Sequence, residues 1–170
     1  MEAERSEQES PMPILTKLRE FLDQNEAAYT HTVHSLAYTA KEVAWAEHVP
    51  TREVAKTVVF LGEHGYGMAV LTADSVVDLE QLRQDLGLAR LRLATEAELA
   101  ELFPSCELGA MPPFGNLFGL PVYVDDRLAG QELITFNAGT HRDVIHMRFR
   151  DFDRLVNPAI VTFARRVAAA

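Results

Sequence analysis

Lys56 sits between Ala55 and the apolar run Thr57-Val58-Val59-Phe60-Leu61. In such surroundings an ammonium must reach water or meet a partner that offsets its desolvation. A phosphate, carboxyl or carbonyl oxygen of a substrate would serve, although for this residue alone a strand-end lysine with its head in solvent is the default reading. Two loops could work with it. In Gly109-Ala110-Met111-Pro112-Pro113-Phe114-Gly115, glycine admits close backbone approach and proline removes conformational freedom. Such a loop can aim N–H groups at a developing oxyanion, or simply make a rigid corner. Asn137-Ala138-Gly139-Thr140-His141 follows a β-like stretch and supplies small polar groups and an imidazole, or else is a turn built for backbone geometry.

Other chemistries find less support. His31 and His34 form an H-x-x-H, but odd spacing on a strand sends the rings to opposite faces, so no shared metal is expected. Cys106 is the sole cysteine; it excludes an internal disulfide and reads as an inert buried thiol. There is no G-x-x-x-x-G-K-[ST], G-x-G-x-x-G, G-x-S-x-G or H-E-x-x-H, which removes the usual support for nucleotide hydrolysis, dinucleotide binding, serine hydrolysis and zinc proteolysis. No cofactor is called for.

The elements that must position these residues follow from periodicity. Residues 1–12 are polar and aperiodic and read as a disordered acidic tail, leaving 13–170 as one domain. Apolar spacing from Ile14 to about Asn25 predicts a helix opened by Pro13 or Thr16. Ala28 to His34 alternates as a short strand, and Ser35 is the expected cap of a second helix ending near His48, ahead of Pro50. Thr51 is expected to cap a short helical turn. Two β-rich segments then flank Glu63-His64-Gly65-Tyr66-Gly67 as a hairpin.

A leucine-spaced helix stopped by Gly87, a short strand and a helix with Thr95 and Glu98 spaced as a capping box come next. The Gly/Pro loop precedes three strand-like stretches, LPVYVD, ELITFNA and DVIHMRF, and a final helix is predicted from about Pro158 to Arg166. The class is α+β, with a mixed, largely antiparallel β-sheet flanked by helices.

With 16 basic and 25 acidic residues the formal charge is −9, which disfavours nonspecific coating of nucleic acid, and no DNA partner is expected. Any RNA contact must be local; Arg142, Arg148, Arg150, Arg154, Arg165 and Arg166 make one candidate patch, or a solvated arginine face. The start is charged where a signal peptide would be apolar, and no apolar run approaches the ~18 residues that span a bilayer. The expected setting is cytoplasmic, without membrane association.

Taken in order, AKTVVF, GAMPPFG followed by LPVYVD, ITFNAGTH, and DVIHMRFRDFDRLV resemble the YbaK/EbsC and prolyl-tRNA-synthetase-associated editing domains, over about Tyr29 to Val156. The resemblance implies a free-standing deacylase that removes a small amino acid (alanine, serine, threonine or cysteine) from mischarged tRNA. The alternative it leaves is a catalytically inactive module binding tRNA ends or a synthetase. It implies catalytic roles for Lys56 and Gly109 and substrate contacts from His34, Thr57, Pro112, Gly139 and His141. Its partners would be the acceptor end of aminoacyl-tRNA and an aminoacyl-tRNA synthetase. Two departures concern specificity: Thr57 stands where some relatives carry Asn, and Asn137-Ala138 where some carry His-Pro.

Overall fold

The structure, a computed structural model, describes residues 12–167, so all of the expected tail except Met12 lies outside the described residues. The first helix, α1 (Ile14–Gln24), starts after Pro13 and buries Ile14, Leu18 and Leu22 along one stripe. The strand β1 (Tyr29–Val33) and the helix α2 (Ala40–Glu47) follow.

Ser35 is not the cap of α2. Thr39 fills that place, accepting from the Glu42 N–H at 3.1 Å. The backbone of His34 donates to Arg142 and that of Ala37 to His141, at 3.0 and 3.2 Å, and these bonds keep 34–37 out of the helix. Thr51 also differs from its expected part: residues 51–53 form a single 3-10 turn after Pro50, without a side-chain cap.

The predicted hairpin is present as β2 (Ala55–Gly62) and β3 (Gly65–Thr72). The short strand β4 (Ser75–Val77), the helix α3 (Leu79–Asp85), the strand β5 (Leu91–Leu93) and the helix α4 (Glu96–Leu102) come next, α4 with the full Thr95–Glu98 capping box. After the irregular 103–121 stretch lie β6 (Val122–Asp125), a single helical turn α5 (Asp126–Ala129), β7 (Leu133–Asn137), β8 (Asp143–Arg148) and α6 (Phe149–Val156).

The predicted helix at 158–166 does not form. Its place is taken by two short strands, β9 (Ala159–Val161) and β10 (Ala164–Arg166). The cause lies far away in sequence: the buried carboxylate of Asp125 accepts from the N–H groups of Phe163 and Ala164 at 3.0 and 2.8 Å. Meanwhile β9 extends β6 in parallel and β10 pairs with β4. Amide groups engaged this way cannot enter a helical ladder.

The strands make a five-stranded mixed sheet in the order β5-β2-β3-β6-β9, a three-stranded antiparallel sheet β1-β8-β7, and the β10-β4 ribbon. The two larger sheets meet at one parallel bridge, Val54 to Thr135. Between them and α1 lies the main core, which includes Val59, Met68, Val70, Val124, Ile134, Phe136 and Phe152. Phe114, fully buried, stacks against Phe21, Phe136 and Phe152 at centroid distances of 6.1, 5.5 and 5.3 Å. That one side chain pins the Gly/Pro loop to the core, and its removal would cost about 3–5 kcal/mol.

Candidate active site

Because the Val54–Thr135 bridge is parallel, the strands leave it in the same direction: Lys56 follows Val54 by two residues and Asn137 follows Thr135 by two. An even step keeps each on the face of its predecessor, so Lys56 and Asn137 share the face turned toward α2. Val54 on that face packs with Ala37, Val43, Ala44 and Val144. Thr57 alternates to the other side with Ala55 and Val59, toward the main core, and its hydroxyl is buried without a partner among the described residues.

Lys56 is half-buried, and its ammonium makes no ion pair or hydrogen bond among the described residues. Burial pushes its pKa below the ordinary lysine value, and the neighbouring Lys41 pushes the same way; Asp74 acts in the opposite sense. Asp74 is already engaged by Arg127 at 2.6 Å and by Thr72 at 2.6 Å. What results is a cation held partly out of water and free to meet an anion.

Three loops gather beyond the end of β7. Gly139 donates to the Ala110 carbonyl at 2.9 Å and accepts from the Glu107 N–H at 2.8 Å. The His141 N–H donates to the Glu107 carboxylate at 3.0 Å, and its ring Nε2 lies 2.8 Å from the Leu108 carbonyl oxygen. Since a carbonyl only accepts, Nε2 carries the proton. In the neutral ring Nδ1 is then an acceptor, and it is buried without a partner among the described residues. The His34–Tyr38 segment closes the third side through its bonds to Arg142 and His141, with the Tyr38 ring 5.0 Å from that of His141.

Within this frame Gly109 adopts φ +83°, where a side chain would be strained, and its N–H has no acceptor among the described residues. Pro112 and Pro113 are buried and carry no N–H, so they stiffen the loop without leaving orphan donors. Gly139 has φ +97° and lies against α1: a Cβ there would fall 2.2 Å from Ile14 Cγ2. With both backbone groups engaged, Gly139 acts by clamping the Gly109 loop. His34 offers a buried Nε2 without a hydrogen bond among the described residues, 3.9 Å from Glu47. Among the described residues, no group of three His, Cys, Asp or Glu is placed to hold a metal.

Residues 34–155 match the model of the aminoacyl-tRNA editing domain. The chain belongs to that family. Over 154 residues the editing domain is 30% identical to the multifunctional Ser/Thr-tRNA deacylase ProXp-y of Escherichia coli K12, covering 88% of this chain and 92% of the relative. A 90-residue stretch, 53% of the chain, is 33% identical to the proline–tRNA ligase of Thermosipho africanus, of which it spans 15%. The fold superposes with a TM-score of 0.79 on a crystal structure described as a candidate trans-editing enzyme for prolyl tRNA synthetase, at 24% identity, over 91% of this chain and 98% of the other.

The editing domain contains two polar features that spacing alone did not single out. Lys41 stands within charge range of Lys56. Glu47 accepts from Thr32 at 2.7 Å and meets His146 Nε2 at 3.2 Å, while His146 Nδ1 is 2.7 Å from Thr135 Oγ1. That chain of bonds ties α2 to β1, β8 and the Thr135 bridge. Neither was legible beforehand, because each depends on docking α2 across the three-stranded sheet.

Proposed function

We propose that this chain hydrolyses the ester of a mischarged aminoacyl-tRNA bearing a small amino acid, with Lys56 as the cation that meets the reacting ester. The observation that supports this most is the half-buried Lys56 ammonium, without an ion pair among the described residues, on the face it shares with Asn137 just ahead of the Gly139 turn. Water adds to the carbonyl carbon, the carbonyl oxygen takes up negative charge, and the C–O bond to the ribose breaks as the ribose oxygen receives a proton. Lys56 and the Gly109 N–H supply donors for the developing oxyanion, a contribution of roughly 3–4 kcal/mol per well-placed donor.

No charged side chain is required to act as base: the vicinal ribose hydroxyl orients the water, and placement carries much of the rate. The buried Asn137 amide oxygen and His141 Nδ1 are acceptors suited to an α-ammonium or a side-chain hydroxyl, and His34 Nε2 is a further buried polar atom without a partner among the described residues. The likeness to a stretch of proline–tRNA ligase supports a synthetase as working partner, and a tRNA substrate is consistent with action in the cytoplasm. Among the described residues, no helix is long and apolar enough to cross a membrane.

Incubation with tRNAs charged with alanine, serine, threonine or cysteine tests the reading. Release of at least one amino acid faster than spontaneous hydrolysis is expected. Binding without release of any of them would overturn it in favour of a tRNA-end binding module.

A further inference from the structure

Trp45 is the chain's only tryptophan, yet 83% of its surface is exposed. An indole gains most by burial, so a solvent-facing one on a short helix contributes little to the fold. It projects from α2 and lines a cleft of about 320 Å³ with Lys41, Ala44, His48, Val49 and Thr51. Thr51 begins the turn that leads into β2, and Lys41 in the cleft lies within charge range of Lys56, the proposed ester-binding lysine.

The charge of this face is unusual for the molecule. The chain is acidic overall, yet two of its three lysines, Lys41 and Lys56, lie within charge range of each other here. Both carboxylates of α2 turn elsewhere: Glu42 accepts from the Tyr38 N–H at 2.8 Å, and Glu47 is held by Thr32 and His146. The cation of α2 is left to the cleft, one helical turn from the indole.

We propose that Trp45 is a stacking platform for an unpaired base near the 3′ end of the RNA, with Lys41 meeting the adjoining phosphate. The proposal rests on the aminoacyl-tRNA reading and deepens it. A flat aromatic face beside a free cation fits a single-stranded nucleotide, whose base stacks without sequence preference and whose backbone is anionic. It also gives an acidic protein the local contact that its net charge otherwise denies it.

The lone tryptophan makes the test direct. Its fluorescence is followed while an uncharged RNA hairpin with a four-nucleotide unpaired 3′ end is added, and separately the same hairpin with a blunt end. Saturable quenching by the overhang alone is the expected result, with binding of an end-labelled hairpin, read by fluorescence anisotropy in the native protein and the variants alike, weakened about tenfold or more in Trp45→Ala and restored in Trp45→Phe. Unchanged fluorescence on RNA binding, equal quenching by the blunt hairpin, or unaltered affinity in Trp45→Ala would overturn the platform. Deacylation is assayed in parallel, so quenching without turnover would count against the enzymatic reading alone, and turnover without quenching against the platform alone.

Discussion

Val54 and Thr135 form a lone parallel bridge, and the two strands leaving it carry Lys56 and Asn137 forward on one face. The proposed ester-binding cation and an amide whose oxygen is buried without a partner among the described residues are thereby neighbours in topology. If Asn137 reads the substrate's polar atoms, Asn137→Ala should lower kcat/KM for seryl- or threonyl-tRNA more than for alanyl-tRNA. A difference of about fivefold matches one hydrogen bond of roughly 1 kcal/mol. Equal losses on all substrates would rule out a contact from Asn137 to the side-chain hydroxyl.

The displaced pKa of Lys56 sets a pH dependence. Burial disfavours its charged form, so the folded-state value lies below 10.5, and activity that needs the ammonium should fall on the alkaline side before an ordinary lysine would titrate. Lys56→Arg, always charged, should move that fall upward wherever it retains turnover. The stability sign follows by linkage: the cost of burying the charge is full below the folded pKa and disappears as pH rises past it to the unfolded value. Lys56→Met should therefore raise Tm at neutral pH, by an amount that shrinks toward pH 10.5. Rate profiles and thermal melts over the same range check both.

The two loop glycines should differ in urea denaturation. Gly139→Ala combines a positive φ with a 2.2 Å approach to Ile14, a loss of about 2–4 kcal/mol. At Gly109 the added Cβ meets only His141 Cε1 at an ordinary 3.7 Å, so Gly109→Ala should cost about 1 kcal/mol of stability while still lowering turnover. Equal destabilisation would contradict the clamp.

Cys106 offers a control. Burial pushes its thiol up to about 11, which keeps it neutral and a poor nucleophile at pH 7. Cys106→Ala should keep wild-type kcat, and modification of the native protein by a thiol reagent should be slow. A large loss of turnover would demand a different mechanism.

The sequence made the hairpin, α1, the α4 capping box and the irregular Gly/Pro loop legible, because each is written in local spacing. It misled at 158–166, where Asp125, 38 residues upstream of Phe163, captures two amides. It misled again at Ser35, where bonds from the 141–142 loop delay α2 to Thr39. The same holds for the site. By type and neighbours alone Lys56 read as a strand-end lysine reaching water, and only its order relative to the Gly109 and Gly139 loops singled it out as a proposed site residue. The clamping role of Gly139 required α1 in place, and Lys41 joined only once α2 was docked.

The most direct test of the account is single-turnover deacylation by Lys56→Ala, on whichever small aminoacyl-tRNA the native protein hydrolyses, with RNA affinity measured alongside. The account predicts a rate at least ~100-fold lower with the fold retained and affinity for uncharged tRNA changed by less than about tenfold. A rate within about twofold of the native protein would contradict it.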